Sequence, residues 1–214
     1  MIVVDMVVVS MRTNFFFGPP VYIAEIDPKY ITEMEQSIDT ASIDEEYSAR
    51  ANLAGRIVDQ YQILGLTSEA CKGHILQHVN QMFYDTGAPT DGLNEQIEID
   101  ALWVNMQRYM EFNPAHAHGG MLSFVIYIKN DLQKEVAINN KFDNARGTEL
   151  AGHLQLRYGE EQYMNWSNFT HWPERGQIIM FPSWLQHFVF PHYEQDKVRI
   201  SVAGNIVPLQ SHEE

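Results

Sequence analysis

After Pro89 the chain changes character, and that change limits the folds open to it more than any other feature. From there on, short apolar or alternating runs follow one another: "ALWVNMQRYMEF", "MLSFVIYIK", "EVAIN", "LQLRY", "GQIIMFP", "HFVF" and "VRISVAGNIV". Each has strand length and is set off by turn-like residues. In the first of them Trp103, Asn105, Gln107 and Tyr109 fall on one strand face. Before Pro89 the pattern from Asp27 to about Thr86 reads as helical. "DPKYITEMEQSI" opens with Asp27 as N-cap and Pro28 at the first helical position. "SIDEEYSARANLAGRIVDQYQIL" spaces Ala51, Leu53, Ile57, Val58 and Tyr61 roughly as a helix would. "TSEACKGHILQHVNQMFYDTG" starts at Thr67/Ser68, ends at Gly87 and aligns Ile75, Leu76, Val79 and Phe83 on one apolar face. Strands following a helical block predict an α+β, mainly β chain. The count and spacing fit an eight-stranded jelly roll with an N-terminal helical layer, residues 27–86, over a core at 100–207.

With 214 residues, 45% of them hydrophobic, the chain can bury one sizeable core, and a single domain over 1–214 is expected. The formal net charge of −14 argues against a nucleic-acid partner and against anionic membrane surfaces, since both need clustered Lys and Arg. The single cysteine, Cys71, rules out an intrachain disulfide and any multi-cysteine zinc site. The apolar start "MIVVDMVVVSM" is broken by Asp5, lacks the layout of a signal peptide and is too short to span a bilayer. It reads as a strand, and the protein as soluble and cytoplasmic. Self-association is compatible with the composition.

Two histidines, His116 and His118, stand two apart in "NPAHAHGG", just ahead of an apolar strand. In extended chain, residues i and i+2 face the same way, so both imidazoles project together, their Cβ atoms roughly 6–7 Å apart. A jelly roll's opposite sheet can deliver His187, from "FPSWLQHFVF", as a third ligand. Three protein ligands leave open positions on a metal, which means chemistry, and neutral imidazole suits iron, zinc or copper. His74 and His78 also share a helical face, but with no third ligand nearby they are expected to pack or be solvated. His153, His171 and His192 have no assigned role. Trp184 is expected to brace His187. Tyr127, Ser123, Asn105 and Tyr109 are candidates for the pocket wall.

The segment "GQIIMFPSWLQHFVFPHYEQDKVRISVAGN" resembles the C-terminal half of 2-oxoglutarate- and iron(II)-dependent oxygenases, in particular a group of bacterial and phage proteins. That group carries H-x-H-P, S-G-x-x-Y, G-x-x-x-x-F-P-S-W-L-x-H-x-V-x-P and R-x-S. Here these stand as His116-Ala-His118-Gly119, Ser123-Phe124-Val125-Ile126-Tyr127, Gly176 to Pro191, and Arg199-Ile-Ser201; "KFDNAR" resembles the group's F-x-D-P-R. The resemblance covers about Trp103 to Asn205. Gly119 replaces a usual proline, Phe124 a usual glycine and Asn144 a usual proline, and Phe124 is expected to alter the pocket wall.

The resemblance implies a double-stranded β-helix that hydroxylates or otherwise oxidises a C–H bond, with iron(II) and 2-oxoglutarate as cofactor and co-substrate. His116, His118 and His187 would be the metal ligands and catalytic centre. Arg199 would grip the far carboxylate of 2-oxoglutarate, a bidentate match for a guanidinium. Ser201, on the same strand face, with Tyr127 and Asn105, would complete the co-substrate site. The common iron site of such enzymes is two histidines and a carboxylate; His118 stands where the carboxylate would be. The partners implied are O2 and a small molecule or side chain as substrate, in the host cytoplasm if the chain is phage-encoded. Two other readings remain open. A cupin-like three-histidine protein without 2-oxoglutarate fits Gly176, Pro182 and His187, although no Glu follows His118 by four to six residues. A non-catalytic metabolite-binding jelly roll is the other.

Overall fold

The structure is a computed structural model describing residues 12–15, 18–51, 53–134, 150–163 and 165–209. Its strands are β1 (Arg12–Phe15), β2 (Pro20–Glu25), β3 (Asp59–Gln62), β4 (Ile97–Gln107), β5 (Asn113–His116), β6 (Leu122–Asn130), β7 (Leu154–Arg157), β8 (Asn168–His171), β9 (Gln177–Pro182), β10 (Gln186–Val189) and β11 (Arg199–Pro208). Two helices, α1 (Pro28–Ala41) and α2 (Glu69–Asp85), complete the frame. All named strand pairs are antiparallel. They form a seven-stranded sheet, β1-β2-β9-β6-β11-β4-β3, facing a four-stranded sheet, β5-β10-β7-β8. Strands β4 to β11 divide four and four between the two sheets as the expected eight-stranded jelly roll, with β7 and β8 consecutive in the smaller one; β1, β2 and β3 widen the larger sheet.

Period-two alternation gives the larger sheet two distinct faces. Leu102, Val104, Leu122, Phe124, Ile126, Val202 and Ile206 turn to the helices. There they meet Ile31, Met34 and Ile38 of α1 and Cys71, Ile75, Val79 and Met82 of α2, which recur every three or four residues. Both helices start where the sequence signals: Asp27 Oδ1 accepts from the Lys29 amide at 3.0 Å and Ser68 Oγ from the Cys71 amide at 3.1 Å. Burial pushes the Cys71 thiol up to about 12, which leaves it inert. The other face of the sheet meets the smaller sheet through Tyr127, Ile179, Phe181, Leu154, Leu156 and Val189. Alongside that apolar contact runs a polar row, where Arg199 pairs in register with Gln107, and Ser201 with Asn105 and Tyr127.

One expected helix is absent. Among the described residues of 42–66 there are only single 3-10 turns, Glu45–Tyr47 and Leu64–Leu66, with β3 between them. The long exposed edge of β4 takes β3 as its neighbour, from Asp59 opposite Met106 to Gln62 opposite Trp103. Those cross-strand hydrogen bonds outweigh a loose helical spacing. The expected strands at Met1–Met11 and "EVAIN", and the "KFDNAR" motif, lie outside the described residues. Phe124 lines the histidine cavity, as expected, and also packs in the core shared with the helices. Its ring lies over Gly204: a Cβ on Gly204 would sit 2.5 Å from the ring and 2.6 Å from the Ala101 carbonyl. No helix among the described residues is long and apolar enough to cross a membrane.

Candidate metal centre

His116 and His187 are direct cross-strand partners on β5 and β10. His118 lies two residues past the end of β5, outside the strand, and its amide donates to the Ser183 carbonyl at 2.9 Å. That bond turns the irregular chain back over the sheet and aims the third imidazole at the other two. Ring centroids are 4.9 Å apart for His116 and His118, 4.3 Å for His116 and His187, and 5.1 Å for His118 and His187. One ligand nitrogen from each lies within 4.8 Å of the others, and no second such group of His, Cys, Asp or Glu occurs among the described residues.

The tautomers of two rings follow from their partners. His116 Nδ1 is 2.7 Å from the Pro114 carbonyl and His187 Nδ1 2.9 Å from the Leu185 carbonyl. A carbonyl only accepts, so Nδ1 carries the proton and Nε2 keeps its lone pair for the shared centre. Burial, reinforced by His116, pushes His118 down to about 4 and His187 to about 3, so both are neutral and ligand-ready at pH 7. Trp103 meets the His118 ring edge-on at 5.6 Å, and Phe181 backs His187 at 4.9 Å. The donor set, three imidazoles on two paired strands and the turn beside them, fits a first-row divalent ion with positions to spare.

Beyond the histidines the cavity is lined by Asn105, Ser123, Arg199 and Ser201. Arg199 is 1% exposed, yet no carboxylate pairs with it among the described residues. Its Nη1 donates to Gln107 Oε1 at 3.1 Å, its Nε has no partner, and its guanidinium lies 5.2 Å from the Tyr127 ring. The buried Tyr127 hydroxyl makes no close hydrogen bond, and its interaction is with the Arg199 guanidinium. His171 stacks on Tyr127 at 5.6 Å, and burial together with the Arg199 charge pushes it down to about 4. His153 and His192 are also shifted down, mainly by burial. Neutral imidazoles therefore surround a buried cation that lacks a counter-ion. A ligand carboxylate would supply one.

Other expected residues fall elsewhere. Tyr109 lies beyond the end of β4 and is 40% exposed, so it leaves the pocket wall. Trp184 is 56% exposed, with its ring against Tyr158 at 5.9 Å; Phe181 does the bracing assigned to it. His78 is a packing residue bonded to the Tyr22 hydroxyl at 2.8 Å, and His74 stacks on Tyr30 at 4.7 Å. His171 and Gln107 were not singled out by any motif; only Gln107's place in the β4 alternation with Asn105 pointed inward.

The fold and the three grouped histidines agree with the resemblance drawn from the sequence, to oxygenases that work with iron and 2-oxoglutarate. The family described as "Putative 2OG-Fe(II) oxygenase" matches residues 101–205, just under half of the chain. Among solved structures, it is similar to a prolyl-4-hydroxylase from Pseudomonas putida, at 16% identity and a TM-score of 0.53, covering 94% of this chain and 93% of that one. A prolyl hydroxylase from Trichoplax adhaerens, solved with a hypoxia inducible factor peptide fragment, matches at 14% identity and 0.52, over 88% and 82% of the two chains. The viral collagen prolyl hydroxylase of Paramecium bursaria Chlorella virus-1, solved with 2-oxoglutarate, matches at 12% and 0.50, over 86% and 94%. At these identities the likeness is one of fold. No curated protein matches the chain.

Proposed function

We propose that the chain is a 2-oxoglutarate-dependent oxygenase whose iron(II) is held by His116, His118 and His187, with Arg199, Tyr127, Ser201 and Asn105 receiving the co-substrate. Iron(II) with 2-oxoglutarate and O2 supplies oxidation of a C–H bond, leaving succinate and carbon dioxide. The observation that carries the reading is the buried, unneutralised Arg199 in the cavity that the three histidines line. A cupin-like metal protein has no use for such a cation, and a non-catalytic metabolite-binding jelly roll, which could use it, has no use for the three histidines beside it. Arg199 would neutralise the distal carboxylate, Tyr127 would donate its hydroxyl to it, and the apolar wall of Phe181, Leu154 and Val189 would keep water out. A third neutral ligand leaves the metal site one charge more positive than a two-histidine, one-carboxylate set, which favours an anionic co-substrate. The substrate would be a small molecule or a protein side chain. Residues 1–214 would act as one domain, since the helices share a core with the larger sheet. A reducing compartment suits a ferrous site and the free Cys71, and the cytoplasm is the proposed location.

The test is titration of the iron-loaded, oxygen-free protein with 2-oxoglutarate, following the metal-to-ligand absorbance band. The band is expected at one equivalent of iron per chain, and H187A should lose stoichiometric iron while keeping its circular dichroism. A parent protein that binds iron but gives no band would overturn the co-substrate assignment in favour of the cupin-like reading.

A further inference from the structure

The metal-side cavity contains three carboxamides, Gln60, Asn105 and Asn113, alongside the histidines. Gln60 is 2% exposed and its Nε2 donates to Asn105 Oδ1 at 2.7 Å. That leaves Gln60 Oε1 buried with no partner, and Asn113 Oδ1 is buried and unpaired too. Both side chains reach the space beside Gly55, Asn113 with its unpaired oxygen and Gln60 with the Nε2 that serves Asn105. A Cβ there would overlap Asn113 Oδ1 and come within 3.1 Å of Gln60 Nε2. The absence of a side chain at 55 is what admits them. The Gly55 backbone is fixed in turn, because the Arg56 amide donates to the Phe112 carbonyl at 2.8 Å and the Val58 amide to Glu111 Oε1 at 2.9 Å.

Two buried carbonyl oxygens without donors are costly, and their cost falls when a ligand brings N–H groups. 2-Oxoglutarate cannot do this. At neutral pH it presents only oxygen acceptors, so these two groups face something else. Charge narrows the choice. Arg199 is the one charged side chain among the described lining residues, and no Asp or Glu is with it. A guanidinium or ammonium donor would enter without a counter-ion and beside a like charge. The ligand's donors are therefore neutral.

We infer that Gln60 and Asn113 are substrate-reading residues, and that the substrate presents a neutral amide, a peptide bond or a side-chain carboxamide, to them beside the metal centre. The inference rests on the oxygenase reading. Its donors would pair with Gln60 Oε1 and Asn113 Oδ1, while Asn105 holds Gln60 in place from behind. An ester of the same shape offers no N–H and would leave both acceptors unpaired.

The experiment uses the full chain, loaded with iron(II) and saturated with 2-oxoglutarate under argon. Its probes are N-acetyl-L-alanine N-methylamide and methyl O-acetyl-L-lactate, which differ only by oxygen in place of both N–H groups. Paramagnetic broadening of the probe methyl resonances reports both affinity and nearness to the metal. The amide is expected to bind at least tenfold more tightly than the ester, about what one or two neutral hydrogen bonds yield. N113L and, independently, Q60M should bring the amide down to the ester's level, and in N113L the 2-oxoglutarate absorbance band should titrate as in the parent. Equal affinities, no broadening by either probe, or tighter binding of cytidine than of the amide would overturn the inference. Absence of the absorbance band in the parent would instead overturn the oxygenase reading, so the two failures are distinguishable.

Discussion

Arg199 is expensive where it stands. A guanidinium removed from water with one hydrogen bond, to Gln107, and no counter-ion weakens the empty fold. Such a cost persists in a chain when the group is needed for something that binds. R199M should therefore raise the melting temperature of the metal-free protein, since a buried unpaired charge gives way to an apolar side chain of similar length. The same change should weaken 2-oxoglutarate binding on the order of a hundredfold or more, because truncating one partner of a buried ion pair typically costs about 3–5 kcal/mol. R199K should restore part of that affinity, returning the charge without the two-pronged geometry. Thermal melts and the anaerobic titration read both effects. A metal-free R199M that melts below the parent would mean that Arg199 serves the empty fold rather than the ligand.

At the scale of elements, β11 is the strand on which most depends. It pairs with β4 on one side and β6 on the other and presents Arg199, Ser201 and Ala203 to the cavity. Its approach to β6 depends on Gly204, over which the Phe124 ring lies. G204A is expected to destabilise the protein by about 2 kcal/mol, within the range for overpacking a tight core, with the urea midpoint as the measure. Adding F124L should recover part of the loss; an unchanged midpoint in G204A would mean that the sheet yields freely there. Much of this element scale was legible in the sequence. β6 and β9 stand out as apolar runs of strand length and β11 by the alternation at its start, and the helix starts at Asp27 and Ser68 are local hydrogen-bonding signals. β3 was not legible. Its four residues, Asp-Gln-Tyr-Gln, carry no apolar alternation because the residue it turns inward, Gln60, serves a polar cavity. The histidines could be found because two stand two apart in sequence and the third lies in a distinctive run. Gln60, Asn113 and Gly55 could not, since only the folding of 53–58 against 111–113 brings them together.

For the whole molecule, buried neutral histidines set the response to acid. His78, behind Tyr22, is pushed down to about 4 by burial and by His74, and His171 to about 4 by burial and Arg199. Both fall below the ordinary histidine value near ~6.5, so the unfolded chain takes up its proton first. The stability they contribute is whole above pH ~6.5 and is lost as pH falls toward 4. Each can steepen the loss by at most ~1.4 kcal/mol per pH unit. Urea midpoints between pH 7 and 4.5 should fall accordingly, and H78Q should flatten the slope; an unchanged slope in H78Q would show that His78 titrates alike in both states. The register of His116 against His187 has a mechanical side too. β5 is the short outer strand of the smaller sheet, paired only with β10. An ion gripping His116 and His187 as proposed ties together points about seventy residues apart along the chain. Like a disulfide, such a tie removes conformations from the unfolded ensemble, by up to about 4 kcal/mol for a loop of that length. Unlike a disulfide, it can be taken out with a chelator. The same ion would then be both reagent and rivet, and an iron-starved cell would hold a protein that is not only idle but loosened along its β5 edge.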